Sequence, residues 1–361
     1  MIPLTLGSAT EAVLPFVARL RRSAETCQDP ADARLVGWND EDLAFAGRDG
    51  MFSIANTAID DVDGDVVLID PLRGAADRIL RSGSKHNTLL VTERCDQLCV
   101  MCSQPPKKTH VDRFRYFSEA CVLAEPDAVI GISGGEPTLY KPELLNLVEN
   151  TLAARPDLRF HILTNGQHFD EPDIERLRLP TYAKVTWGIP LYASEAGLHD
   201  AIVGKVGAFE RLEGSLAVLL TAGARIELRT VVLQTNVFQL HDLARHVANR
   251  LGFVESWSIM QLENIGFARN RWDHLFFDHV ADFSPIERAL DYAALYGLNA
   301  RLFNFPKCTI PKQYRHLAPA SISDWKRKYA PACEPCREKA NCSGFFEWHP
   351  SAGLMEQVRP L

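Results

Sequence analysis

Three cysteines fall within eight positions of this 361-residue chain, in the stretch "RCDQLCVMCSQPP": Cys95, Cys99 and Cys102. Their spacing is Cys-x3-Cys-x2-Cys. Thiolates are good ligands for zinc and for iron–sulfur clusters. A closed structural zinc site takes four protein ligands, so three close thiols leave one position to be filled. Either a cubane cluster keeps one iron open to a non-protein ligand, or His86, His110 or a distant cysteine completes a zinc site. A second set lies far downstream: Cys308, Cys333, Cys336 and Cys342, spaced Cys-x24-Cys-x2-Cys-x5-Cys. Four thiolates can close a site completely, around zinc or around a cluster. Cys27 and Cys121 match neither pattern, and Cys121, in an apolar helical stretch, reads as a buried structural thiol.

Composition limits the compartments and partners. The chain has nine cysteines, an odd count, and 46% hydrophobic residues. The N-terminal stretch "MIPLTLGSATEAVLPFVARLRRS" reads as a short amphipathic helix and lacks the layout of a secretory signal. No run approaches the ~20 apolar residues of a membrane span. A cytoplasmic location is therefore expected, where thiols stay reduced and clustered cysteines serve metals or catalysis. The net charge of −7 argues against a broad nucleic-acid surface.

The elements that must position these thiols follow from periodicity. Short apolar runs at 88–92, 128–133, 158–164, 183–192, 226–233 and 254–262 alternate with amphipathic stretches such as 141–154 and 237–251. Near-continuous apolar strands separated by helices mean βαβ units and a parallel sheet covered by helices. The expected class is α/β, a partial (β/α)6 barrel of the TIM type, with an open doubly wound sheet as the alternative. Residues 1–85 form a small leader region with short strands, 86–296 the barrel, and 297–361 a cysteine-rich extension. Cys95, Cys99 and Cys102 follow the first barrel strand, "GGEPT" (134–138) the second and "TNG" (164–166) the third. Three motifs thus share the carboxyl-terminal rim, where barrels build their active sites.

The cysteine triad after the first strand, with Gly-Gly-Glu-Pro after the second, resembles the radical S-adenosylmethionine (SAM) superfamily over roughly residues 86 to 265. The resemblance implies a [4Fe–4S] cluster whose open iron is chelated by SAM. Reductive cleavage then yields a 5′-deoxyadenosyl radical. It implies roles for matching residues. Gly134 and Gly135 admit a close backbone, Pro137 stiffens the turn, and Glu136 accepts hydrogen bonds from the methionyl ammonium. Arg229 sits where the family often pairs with the methionyl carboxylate, or forms a structural ion pair. Asn165 and Tyr192 reach the ribose or adenine, although Tyr192 also reads as a packed barrel aromatic. Met101 stands where many relatives carry an aromatic residue against the adenine. His199 and Asp200 match a His-Asp segment of relatives, with helix capping by Asp200 the expected role.

The tail "PACEPCREKANCSGFF" resembles part of the SPASM and Twitch extensions, which implies one auxiliary [4Fe–4S] cluster; zinc is the alternative. Together with "HDAIVGKVGAF" and "SISDWKRKY", it resembles the His-Xaa-Ser system radical SAM maturases. That likeness implies a ribosomally made precursor peptide as substrate and a partner maturase. Residues 301–340 hold nine Lys or Arg against three Asp or Glu, a local excess of six positive charges. Such a stretch suits an acidic leader peptide or an acidic electron donor, flavodoxin or ferredoxin, or is simply a solvated surface. Two other functions stay open: a radical SAM enzyme acting on a small molecule or nucleobase, and a non-enzymatic zinc scaffold.

Overall fold

Two separate sheets organise the chain, seen in a computed structural model that describes residues 2–39 and 42–361. The first comprises β1 (Thr5–Thr10), β2 (Phe16–Arg21), β3 (Asp32–Trp38), β4 (Asp42–Gly47), β5 (Gly50–Ala55), β6 (Val66–Asp70) and β7 (Ala75–Leu80). It closes into a small barrel in the order β1-β5-β4-β3-β2-β6-β7, with β7 pairing back onto β1. Its interior is filled by Phe16, Phe45 and Phe52, whose rings sit 5.5 and 5.6 Å apart, with Leu20, Ile54, Val67 and Ile69 around them.

The expected N-terminal amphipathic helix is therefore corrected: its residues form β1 and β2. Along β2, Phe16, Ala18 and Leu20 fill the small barrel while Val17 packs into the core of the larger sheet. In β6, Val67 and Ile69 face the small barrel while Val66 and Leu68 join the larger core. A strand buried on both faces loses its alternation of apolar and polar residues.

The second sheet runs β8 (Thr88–Thr92), β9 (Val129–Gly134), β10 (Arg159–Leu163), β11 (Val185–Pro190), β12 (Arg225–Val231), β13 (Ser256–Met260) and β14 (Ala300–Phe303), side by side in sequence order and parallel throughout. Among the described residues it has seven strands, not the expected six. The seventh, "ARLF", lies in the segment read as the C-terminal extension; it has four residues, one of them Arg301. Trp187, Ile189, Leu228, Trp257, Ile259 and Leu302 are fully buried on one face. On that side lie α1 (Phe114–Val122), α2 (Lys141–Ala154), α4 (Ala208–Ala222), α5 (Leu240–Arg250) and α6 (Ser284–Leu295), while α3 (Ala196–Val203) packs through Ile202 with Met101 and Leu262. Cys121 is fully buried on α1, where desolvation pushes its thiol up to about 12.

β8 and β14 are the end strands of this sheet and do not pair with each other. Beyond β14 the chain continues in single 3-10 turns and one short antiparallel pair, β15 (Arg327–Lys328) with β16 (Phe345–Phe346). Arg81, just before β8, grips Asp324 of this tail with two hydrogen bonds of 2.9 and 3.0 Å. The small barrel joins the large sheet through α1: Arg113 bonds Asp77 at 3.1 Å and Arg19 reaches the Leu123 carbonyl at 3.4 Å. No helix among the described residues is long and apolar enough to cross a membrane.

Candidate active site

The loop after β8 carries Cys95, Cys99 and Cys102, and all three line a cavity of about 1230 Å³. Ser133, Gly134 and Gly135 at the end of β9, Thr164 and Asn165 after β10, and Tyr192 after β11 line it too. The carboxyl ends of the strands thus bring the three predicted motifs to one space. Backbone bonds fix the cysteine loop from several sides. Leu98 and Val100 donate to the Val203 and Ile202 carbonyls at 3.1 and 2.9 Å, and Phe267 donates to the Cys102 carbonyl at 2.9 Å. Gly135 and Glu136 donate to the Thr92 and Arg94 carbonyls at 2.8 and 2.7 Å.

The close approach that the glycines permit is to this loop. A Cβ on Gly135 would lie 2.2 Å from the Arg94 carbonyl oxygen. One on Gly266, after β13, would lie 2.3 Å from the Cys102 oxygen. Neither position admits a side chain without moving the cysteines.

Burial raises all three thiols, Cys95 to about 11 and Cys99 to about 12, with Cys102 also raised. Neighbouring negative groups add to this at Cys95, where Glu136 and Asp96 are close. The thiols are therefore neutral near pH 7 and ionise when a metal supplies the positive charge. Among the described residues, no three His, Cys, Asp or Glu side chains converge on a point that would hold a single metal ion. The donor set, three thiols and no nitrogen ligand beside them, fits an iron–sulfur group with one open iron. His110 instead stacks on Tyr140 at 3.8 Å and meets Thr92 Oγ1 at 3.1 Å.

Glu136 is fully buried, and protein donors take up its carboxylate. Oε1 accepts from the Thr138 N–H at 2.8 Å, the Thr138 hydroxyl at 2.5 Å and the Thr164 hydroxyl at 2.6 Å, and Oε2 accepts from the Asn165 N–H at 2.5 Å. Burial raises its pKa even so. The side chain ties the β9 loop to the β10 loop. Pro137 opens the 3-10 turn that follows. Asn165 is drawn into the same framework, donating through Nδ2 to Asp96 at 2.8 Å. Asp96 also pairs with Lys205 and, at 3.2 Å, with His168. Burial would raise Asp96, but His168 and Lys205 outweigh it and hold the carboxylate well below its usual range.

Arg229 faces the cavity from β12 and pairs with Glu227 at 3.0 Å. Met101 and Tyr192 line the cavity and pack with Ile202, Leu233 and Leu262. Asp200 caps α4, accepting from the Gly207 and Phe209 N–H groups at 2.5 and 2.8 Å, the role expected of it. His199 is buried, lowered by desolvation to about 4, and its Nδ1 accepts from the Tyr192 N–H at 3.3 Å.

The tail cysteines also come together. Cys308, Cys333, Cys336 and Cys342 line one small cavity with Tyr329, Phe345 and Val358. Backbone N–H groups of Lys307 and Gly344 point at Cys342 Sγ, and that of Leu361 at Cys336 Sγ, each at 3.4 Å. Donors aimed at sulfur suit thiolates, so this set fits a bound metal group as well. Between the two sites runs a buried chain. Gln261, on the large cavity, bonds His279 at 2.9 Å, and His279 bonds Thr309, the neighbour of Cys308, at 2.8 Å.

Sequence reading missed Asp96, Lys205, Gly266 and this chain. Asp96 sits inside the cysteine motif and Lys205 inside "HDAIVGKVGAF", so both lay within stretches already singled out. Nothing local marks Gly266, Gln261 or His279, whose partners are distant in sequence.

No protein-family model matches the chain. The antilisterial bacteriocin subtilosin biosynthesis protein AlbA of Bacillus subtilis is 25% identical over 211 residues, 55% of this chain and 45% of AlbA. An AdoMet-dependent heme synthase of Methanosarcina barkeri is 27% identical over 157 residues, 42% of this chain and 43% of the synthase. The chain thus spans less than half the length of each. Among solved structures, Streptococcus suis SuiB bound to S-adenosylmethionine is 16% identical with a TM-score of 0.48, covering 60% of this chain and 49% of SuiB. The sequence relatives, the cysteine triad and the Gly-Gly-Glu-Pro loop on one rim of a parallel sheet together support placing this chain in the radical SAM superfamily.

Proposed function

We propose that this chain is a radical SAM iron–sulfur enzyme that modifies a ribosomally made peptide. The observation that carries the reading is the joint position of Cys95, Cys99 and Cys102 on a clasped loop facing a cavity large enough for SAM and a substrate segment. Cys95, Cys99 and Cys102 hold a [4Fe–4S] cluster. The 134–137 loop, Asn165, Tyr192, Arg229 and Met101 surround SAM. Cys308, Cys333, Cys336 and Cys342 hold an auxiliary [4Fe–4S] cluster. When bound, cluster and SAM supply the hydrogen abstraction from an unactivated carbon; the protein binds, orients and shields. Met101, Tyr192, Val231 and Met260 give the cavity apolar walls that keep water from a reactive centre.

A peptide substrate is supported by the relation to a bacteriocin biosynthesis protein and by the local positive charge of residues 301–340. We assign the precursor to the His-Xaa-Ser type, with a partner maturase and with flavodoxin or ferredoxin as electron donor, in the cytoplasm. One observation favours a second reading, a small-molecule substrate: the relation to heme synthases. Anaerobic reconstitution tests both. The protein is expected to turn brown and, with SAM and dithionite, to release 5′-deoxyadenosine; colourless zinc protein overturns the reading. Mass spectrometry of a candidate precursor coexpressed with the chain is expected to show a changed mass. An unchanged precursor, with heme-type tetrapyrroles turned over instead, selects the second reading.

A further inference from the structure

The charges that line the large cavity are paired, with one exception. Arg78 is held by Asp65, Arg81 by Asp324 at 2.9 Å, Arg225 by Glu255 at 2.6 Å, Arg229 by Glu227 at 3.0 Å and Lys326 by Glu263 at 3.7 Å. These pairs use every Asp and Glu on the cavity wall, namely Glu227, Glu255 and Glu263. Among the described residues lining the cavity, Arg301 is the one Lys or Arg with no carboxylate partner. Its side chain is exposed within the cavity.

The register explains both its position and its lack of a partner. Pro190, Arg229, Ser258 and Arg301 are neighbours across β11, β12, β13 and β14, one row on the interior face. The next row toward the cysteine loop is apolar: Val231, Met260 and Phe303. Two residues along a strand separate the rows, about 6.6 Å. Glu227 is the acid closest in register, and its oxygens are committed elsewhere. They accept from Arg229 and the Ser258 hydroxyl, and His161 Nε2 lies 2.6 Å from Oε2. Burial would raise Glu227, but these groups more than offset it and hold it ionised, at about 2. The contact between His161 on β10 and Glu227 on β12 crosses β11 over Gly188. A Cβ there would lie 3.0 Å from His161 Nε2 and 3.1 Å from Arg229 Cδ. The interior thus spends its one central carboxylate on Arg229 and leaves Arg301 uncompensated.

We infer that Arg301 is a specificity-determining residue that binds a carboxylate of the substrate peptide, an acidic side chain or the free C-terminus, one strand row beneath the apolar wall facing the cysteine loop. The inference rests on the peptide reading of this cavity. A guanidinium recognises a carboxylate through two parallel hydrogen bonds and brings the missing negative charge to balance. The register sets a spacing: with a carboxylate on Arg301, an apolar part of the substrate lies one row on, against Val231, Met260 and Phe303.

The test uses the reconstituted full-length protein with SAM and a synthetic pool of random decapeptides, made once as C-terminal acids and once as amides. Retained peptides are read by mass spectrometry. The wild type is expected to enrich Asp or Glu at one position of both pools, or to retain the acid pool only; the first result assigns a side chain, the second a C-terminus. Arg301→Gln is expected to lose that preference and to bind the best retained peptide ~10- to 100-fold more weakly, with Arg301→Lys recovering part of the loss. Peptides retained with no acid preference, or an Arg301→Gln protein that selects the same acids, overturn the assignment alone. No retained peptide in either pool overturns the peptide reading, and the inference with it. Circular dichroism and SAM binding accompany each variant. A loss of SAM affinity matching the loss of peptide affinity moves Arg301 to the cofactor and overturns the inference.

Discussion

The two cysteine sites differ in what surrounds the sulfur. Around Cys95, Cys99 and Cys102 the wall opens into a cavity of about 1230 Å³, and the loop is held through its backbone by the segments after β9 and β13 and by the last turn of α3. Around Cys308, Cys333, Cys336 and Cys342 the space is small, and backbone N–H groups point at the sulfur atoms themselves. Three thiols on an open wall leave a metal position for something that arrives and leaves. Four thiols in a tight pocket, with donors already directed at them, leave none. The first geometry suits chemistry and the second suits a resident group that relays electrons or orders the tail. The buried chain Gln261–His279–Thr309 links one wall to the other.

The contrast breaks most visibly at the first site. Replacing Cys95, Cys99 and Cys102 together with Ala is expected to abolish 5′-deoxyadenosine formation completely. The fold survives, because the core built on Trp187, Trp257 and Phe160 does not include these thiols. Reconstituted triple-Ala protein that still cleaves SAM removes the distinction between the sites.

A smaller, selective effect is expected at the second site. Changing Cys308, Cys333, Cys336 and Cys342 to Ala should halve the bound iron, from about eight to about four per chain, since each cubane holds four. Substrate modification stops while some uncoupled SAM cleavage persists. The melting temperature falls, because a closed metal site contributes to folding. Full modification by a well-folded variant lacking the second group sinks the assignment, and zinc in the wild-type tail makes the site structural.

What the sequence made legible follows the same division. The six long apolar runs fall on β8 to β13, and the three motifs between them meet at one cavity, because a parallel strand and its following loop are read locally. The seventh strand was hidden by its shortness and by Arg301, the residue that faces the cavity. The small barrel was hidden because Val17, Val66 and Leu68 belong to the neighbouring core and blur the period of two. Long-range contacts stayed out of reach. Nothing around Gly188 announces that His161 and Glu227 will meet across it, and nothing near His279 announces Thr309.

Glu136 offers the finest test of the comparison: its carboxylate is buried between two loops of the first site, where the tail cavity has only the partly exposed pair of Lys307 and Glu338 at 2.8 Å among the described residues. Its carboxylate was expected to meet the methionyl ammonium; its four hydrogen bonds run instead to Thr138, Thr164 and Asn165. Glu136→Gln keeps the shape and keeps one acceptor oxygen for the two threonines. It turns an amide donor toward the Asn165 N–H, so one charge-assisted bond is lost and two donors face each other. The expected cost is ~1.5–3 kcal/mol, the scale of a hydrogen bond to a charged group. If Glu136 acts as a tie between loops, that cost appears as a lower melting temperature in protein without SAM, and SAM binds more weakly because Gly135 and Asn165 shift. If it meets the ammonium directly, the melting temperature without SAM holds while SAM affinity falls ~10- to 100-fold. The buried, fully bonded carboxylate favours the first outcome. An unchanged melting temperature together with unchanged SAM affinity rules out both roles and moves the methionyl site away from this loop.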